Sequence, residues 1–279
     1  PLLNRPIVSL NPPGSVFKVV VTAAALASGR FTADSVLPGP KTYQLPNSTK
    51  KLRNWTGTEC GPGGKVTLRQ ALAISCNTAF AWLGNELGAA AIRDQAESFG
   101  FNTGFEIPLR AATSLFPESP DAPQTALSSI GQFDVRATAL QMAMVAASVG
   151  NSGRTMNPYL VQEIRGPDLS ILQTTEPGQF ADALKPSNSL SLTEMMVNVV
   201  ENGTGSNAKI PGVRVAGKTG TAQTGNDSPS VAWFISFAPA AAPKVAVAVV
   251  IEESGAAEVS GNGLAAPIAK AVMEAVLGR

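Results

Sequence analysis

Histidine is missing altogether from these 279 residues. That absence removes Ser-His-Asp hydrolases, histidine general bases and histidine-ligated zinc in one step, so an activated nucleophile here must recruit another base. Cysteine occurs only twice, at Cys60 and Cys76, too few to assemble a metal cluster without histidine. No metal or other cofactor is expected. Charged residues make up 15%, against about 25% in ordinary domains. The net charge is +1, with no basic run and no interleaved aromatics, so no nucleic-acid partner is expected. The longest apolar runs, such as Val245 to Ile251, have strand length and fall far short of the roughly 20 residues of a membrane helix. The chain opens on Pro1 without a signal-peptide pattern, and an upstream piece is expected to have been removed or omitted.

What remains for nucleophile chemistry is serine beside lysine. Ser15-Val16-Phe17-Lys18 fits Ser-x-x-Lys, as do Ser48-Thr49-Lys50-Lys51 and Ser206-Asn207-Ala208-Lys209. Context separates them. Ser15 follows the turn signal Pro12-Pro13-Gly14 and opens an apolar stretch to Ala27, closed by Ser28-Gly29. The stretch predicts a helix starting at Ser15, apolar nearly all round and hence buried, with Lys18 as its only charge. Residues three apart on a helix share a face, so the Ser15 and Lys18 side chains can meet. A free lysine, pKa about 10.4, is a poor base at pH 7; bringing it to about 7 takes about 4 to 5 kcal/mol of differential destabilisation, within reach of burial. The same residues, taken alone, also fit an N-capping serine and a lysine snorkelling to solvent.

Pro/Gly-rich joints at Pro38-Gly39-Pro40, Cys60 to Gly64 and Pro117 to Pro123 mark loops. Helices are predicted over Val66 to Ser75, Thr78 to Leu87 and Ala89 to Phe99. The capping box Thr138-Ala139-Leu140-Gln141 opens one to Val149, and Ser191-Leu192-Thr193-Glu194 another ending near Gly203. The period then changes. Val213 to Gln223, Ser230 to Ala238 and Lys244 to Glu252 read as an antiparallel three-stranded meander, with a closing helix, Leu264 to Leu277, across one face. Cys60 and Cys76 are either bridged, worth about 3 kcal/mol in the chain-entropy account, or two buried thiols; an extracytoplasmic enzyme would favour the bridge.

Two more segments carry possible chemistry. Lys218-Thr219-Gly220-Thr221 lies on the first meander strand, where a glycine is costly unless another backbone approaches, and hydroxyls beside a lysine form an anion site. An edge strand protected from aggregation by its lysine reads the same way. Ser75-Cys76-Asn77 sits at the break between two helices; Ser-x-Asn also occurs at Ser9-Leu10-Asn11 and Ser260-Gly261-Asn262, so the triplet alone means little.

Taken together, Ser-x-x-Lys on a buried helix start, Ser-x-Asn between helices and Lys-Thr-Gly-Thr on a strand resemble the penicillin-binding transpeptidases. Pro13 to Lys18, Ile130-Gly131-Gln132, Glu201-Asn202-Gly203-Thr204-Gly205, Lys218 to Gln223 and Ala232-Trp233-Phe234 extend the resemblance to their class B group over nearly the whole chain. It departs at Phe133, where many relatives carry glycine, and in lacking a strand pair before the Ser-x-x-Lys helix. The resemblance implies an α/β (α+β) transpeptidase fold: an antiparallel sheet flanked by helices, incomplete at one edge, in a part formed by residues 1–30 and 186–279, plus an all-helical lobe at about 31–185. It further implies Ser15 as nucleophile, Lys18 as its base and Ser75 as proton relay. Asn77, Lys218, Thr219, Gly220 and Thr221 would bind substrate. The expected partners are peptidoglycan stem peptides ending in D-Ala-D-Ala, β-lactams and divisome proteins, outside the cytoplasm, with a membrane anchor beyond this chain. Rival readings are a serine β-lactamase, for which no Glu-x-x-Leu-Asn is found, and a β-lactam sensor, which usually carries a hydrophobic residue in place of Asn77.

Overall fold

A computed structural model describes residues 3–223, 230–255 and 259–279. A short turn, α1 (Arg5–Val8), leads into Pro12-Pro13-Gly14, where Gly14 takes φ 54°, followed by a single 3-10 turn from Gly14 to Phe17. The helix proper, α2 (Lys18–Ala27), therefore starts three residues later than the apolar pattern predicts, and Ser15 caps nothing. Its side chain is left free for Lys18. Val19, Val20, Val21, Ala23 and Ala25 are fully buried, so α2 is enclosed on all sides as its composition requires. Phe17 packs on Phe101 and Phe116 at ring separations of 5.5 and 5.8 Å, anchoring the turn beneath the site.

The stretch from 31 to 185 departs from the all-helical expectation. It holds β1 (Val36–Pro38) paired with β4 (Lys65–Thr67), and β2 (Thr42–Gln44) paired with β3 (Lys51–Arg53). Its helices are α3 (Leu68–Ala73), α4 (Asn77–Leu87), α5 (Ala89–Ser98), α6 (Ala122–Ser128) and α7 (Ala139–Gly150). Two further ladders join β5 (Arg154–Met156) to β8 (Gln179–Asp182) and β6 (Glu163–Arg165) to β7 (Ile171–Thr174). Strands of three or four residues are too short for an alternating pattern to show, which is why the sequence reads as helices and loops here. Thr138 does cap α7 through the Gln141 amide, but the Gln141 side chain donates to the Phe99 carbonyl at 2.7 Å instead of reaching back. The box is half made.

The next helix, α8 (Pro186–Asn202), begins five residues before the Ser191 predicted to open it. Pro186 supplies the start, its fixed φ suiting the first helical position, while Glu194 pairs with Arg214 at 2.7 Å. The meander is as expected: β9 (Ala216–Ala222), β10 (Val231–Ala238) and β11 (Val245–Ile251), antiparallel, with β10 central. Every β10 residue is buried. Trp233, Ile235 and Phe237 enter the large core, and Phe234 enters a second core with Ala269 and Met273 of α9 (Ala266–Leu277). Both faces of the sheet are thus covered, α7 on one and α9 on the other, as a strand without polar alternation demands. The 3-10 turn bearing Ser15 packs against β9, and the Trp233 indole N–H donates to the Pro12 carbonyl at 3.0 Å.

Candidate active site

Glycines let two backbones close on each other where Ser15 sits. Gly131, at φ 71°, packs so tightly on Gly14 that a side chain there would overlap the Gly14 carbonyl, and the Gly14 amide donates to the Gly131 carbonyl at 2.9 Å. Gly220 of β9 likewise admits the Pro13 carbonyl. Ser15 is thereby pinned between the Ile130-Gly131-Gln132 loop and β9. One turn on, Lys18 is wholly buried, its Nζ 3.0 Å from Ser15 Oγ.

The break between α3 and α4 brings the second group. Ser75 adopts the left-handed region at φ 59°, rare for a residue with a side chain, and so ends α3 abruptly and turns its polar groups inward. Lys18 Nζ reaches the Ser75 carbonyl at 2.8 Å, Ser75 Oγ at 3.1 Å and Asn77 Oδ1 at 2.7 Å. Cys76, between them, is bridged to Cys60. Buried Asn54 secures the next residue: its Oδ1 accepts from the Thr78 amide at 3.0 Å, while its Nδ2 donates to the Pro40 and Thr58 carbonyls.

From β9 comes the third group. Lys218, also without exposed surface, donates from Nζ to Ser75 Oγ at 3.0 Å and to the Thr219 carbonyl at 2.9 Å. Ser75 Oγ therefore stands between two amines. Burial pushes Lys218 down to about 7. Burial pushes Lys18 well below the usual lysine range, and the neighbouring charge of Lys218 pushes it further. Thr219 Oγ1 shares a hydrogen bond with Thr204 Oγ1 at 2.6 Å. With its amide nitrogen toward the Gln223 carbonyl and its amide oxygen toward the Gln223 N–H, Gln132 pairs with the Gln223 backbone at 3.3 Å in both directions.

All three predicted segments meet at one cleft of about 870 Å³, lined by Ser15, Ser75, Asn77, Thr219, Gly220 and Thr221. The rival Ser-x-x-Lys matches do not carry their serine or lysine together into it, although Lys51 lies on its rim. Ser260 and Asn262 of a rival Ser-x-Asn also line it. Sequence reasoning missed Thr204, Gln132, Arg53 and Trp55 as lining residues; the first two lie in segments marked by the family resemblance, the others in a hairpin with no such mark. No aspartate or glutamate lines the cleft among the described residues.

The penicillin-binding protein transpeptidase domain family matches residues 1–274. Peptidoglycan D,D-transpeptidase PbpA of Mycolicibacterium smegmatis is 46% identical over 282 residues, covering 99% of this chain and 57% of that protein. Peptidoglycan D,D-transpeptidase MrdA of Acinetobacter baumannii is 28% identical over 300 residues. Among solved structures, penicillin-binding protein A from M. tuberculosis, as its ceftriaxone acyl-enzyme complex, superposes with a TM-score of 0.94 at 46% identity, covering 99% of this chain and 63% of that one. The D,D-transpeptidase domain of an Eggerthella lenta peptidoglycan glycosyltransferase gives 0.89 at 34%. The motifs' finer likeness, to actinobacterial penicillin-binding protein A, is borne out by these identities. The chain spans 57% of the length of its M. smegmatis relative.

Proposed function

The chain belongs to the penicillin-binding protein transpeptidase family, and from that premise we propose that it is a peptidoglycan D,D-transpeptidase working through a serine acyl-enzyme. The observation that carries the reading is Lys18 Nζ, wholly buried and 3.0 Å from Ser15 Oγ. In the neutral amine, two N–H groups satisfy the Ser75 carbonyl and Asn77 Oδ1, which can only accept. The lone pair is left for Ser15. Ser15 Oγ attacks the carbonyl of the penultimate D-Ala and its proton passes to Lys18. The amides of Ser15 and Thr221 hold the oxyanion, a contribution of about 3 to 4 kcal/mol per donor. Collapse breaks the peptide bond, and Ser75 relays a proton to the departing D-Ala amine. An amine of a second stem peptide then attacks the ester, forming the cross-link and freeing Ser15.

Thr219 and Thr221, on the strand that Gly220 lets close against the nucleophile turn, hold the terminal carboxylate beside Lys218. Asn77 donates to the donor peptide backbone. β-Lactams enter by the same route, and their tethered leaving group keeps the ester in place. The sheet-bearing part, 1–30 and 186–279, and the lobe at 31–185 act as one transpeptidase domain with the cleft between them. Such an enzyme works outside the cytoplasmic membrane, anchored by a segment beyond this chain and within reach of divisome proteins. The sequence has no Glu-x-x-Leu-Asn, the motif that would supply a β-lactamase with a base to activate deacylating water.

A fluorescent penicillin is expected to label the protein covalently and stoichiometrically, with the added mass on the peptide containing Ser15. Labelling should vanish in Ser15→Ala. A labelled alanine variant overturns the assignment, and rapid turnover of penicillin would favour the lactamase.

A further inference from the structure

Side chains alternate along a strand, so in β3 Lys51 and Arg53 share one face and Leu52 takes the other. Leu52 packs inward against Leu45, Ala81 and Ala126, which commits both cations to the outer face. Their cross-strand partners on β2 are Gln44 and Thr42, neither charged. Gln44 spends its amide on the Ser48 and Lys50 carbonyls. Neither Lys51 nor Arg53 forms an ion pair among the described residues, and both line a cleft to which the described residues contribute no carboxylate. Beside them Trp55 stands 77% exposed on the same wall. Two unneutralised cations and an open aromatic face on one rim are a place for an anionic chain.

Their position says which chain. The Arg53 carbonyl accepts from Asn77 Nδ2 at 3.2 Å, tying β3 to the residue that holds the donor backbone in the function proposed above, on which this inference rests. A donor esterified to Ser15 and aligned by Asn77 would lie next to the wall that carries Arg53. We propose that Lys51 and Arg53, flanked by Trp55, form a subsite for a second carboxylate, carried by the donor on the acyl side of the scissile bond. It is distinct from the terminal carboxylate held at Thr219 and Thr221.

Benzylpenicillin and carbenicillin differ by a single side-chain carboxylate on the acyl side. The ratio of their acylation rate constants, carbenicillin over benzylpenicillin, isolates that group. In Lys51→Gln/Arg53→Gln the ratio should fall about threefold to tenfold, as expected for two exposed charge pairs. Arg53→Glu should lower it further, Arg53→Lys should retain most of it, and raising salt should lower it in the unsubstituted protein. A ratio unmoved by both charge-removing variants and by salt overturns the subsite while leaving the transpeptidase reading intact. Failure of benzylpenicillin to acylate Ser15 at all overturns that reading, and the subsite with it.

Discussion

Lys18 and Lys218 have no exposed surface, and both lie within hydrogen-bond reach of one serine hydroxyl. Packing alone would select against such a pair, since each buried ammonium loses hydration and repels the other. The cost has a measurable pH signature. Lys218 titrates near 7 in the fold against about 10.4 in an unfolded chain. Between those values the unfolded state binds more protons than the native one, so stability rises with pH across that window; below it both states are protonated and the full penalty stands. Lys218→Met, which removes the charge and keeps the length, should therefore raise the melting temperature at pH 7 and abolish acylation. Its advantage over the unsubstituted protein should shrink as pH climbs toward 10. Parallel melting curves at all pH values would mean that Lys218 is not a desolvated amine.

At the scale of elements, the candidate active site depends on a helix break and a strand crossing at fixed heights. Ser75 takes a left-handed conformation that costs about 1 to 2 kcal/mol in a residue other than glycine, and its neighbour Cys76 ties the break to the loop at Cys60. Replacing both cysteines by alanine should cost about 3 kcal/mol of stability, from the loop they close. It should also slow penicillin labelling severalfold, because Ser75 and Asn77 lose an anchor. A lowered melting temperature with unchanged labelling would assign the bridge to stability alone. The helix break was legible in the sequence, as were α2 and the meander, because local chemistry sets them: a Pro-Pro-Gly turn before an apolar run, polar residues between helices, long apolar strands. The ladders β1 with β4 and β5 with β8 were not, since a three-residue strand is defined by a partner distant in the chain. The start of α8 departs from its sequence pattern for a related reason. Its Ser191 to Glu194 pattern looks like a capping box, but Glu194 is claimed by Arg214 across space. Thr204 escaped as a lining residue because its bond to Thr219 exists only once α8 lies along β9.

For the whole molecule, the same layering that hides the two lysines divides the chain into strongly and weakly held regions. β10 is hydrogen-bonded on both sides and buried in every residue, with α7 and α9 covering its two faces. Its amides can open only when the sheet does, and they should exchange with solvent at the rate of global unfolding. β11 is half-buried and pairs with β10 alone among the described residues, so the amides along its outer edge lack that protection. The β6 and β7 hairpin is weaker still: all of β7 is exposed, and Leu169, Ile171 and Leu172 stand in solvent. Hydrogen exchange read by mass spectrometry should rank β10 slowest, the outer amides of β11 faster, and the hairpin fastest by orders of magnitude. β9, which carries Lys218 to Thr221, should exchange far more slowly than the hairpin, because it pairs with β10 and the turn bearing Ser15 packs against it. If β9 instead exchanged with the hairpin, the strand that binds substrate in the proposed mechanism would be locally unfolded much of the time. The buried amines would then meet water, and the depression of both lysine pKa values would have no physical source.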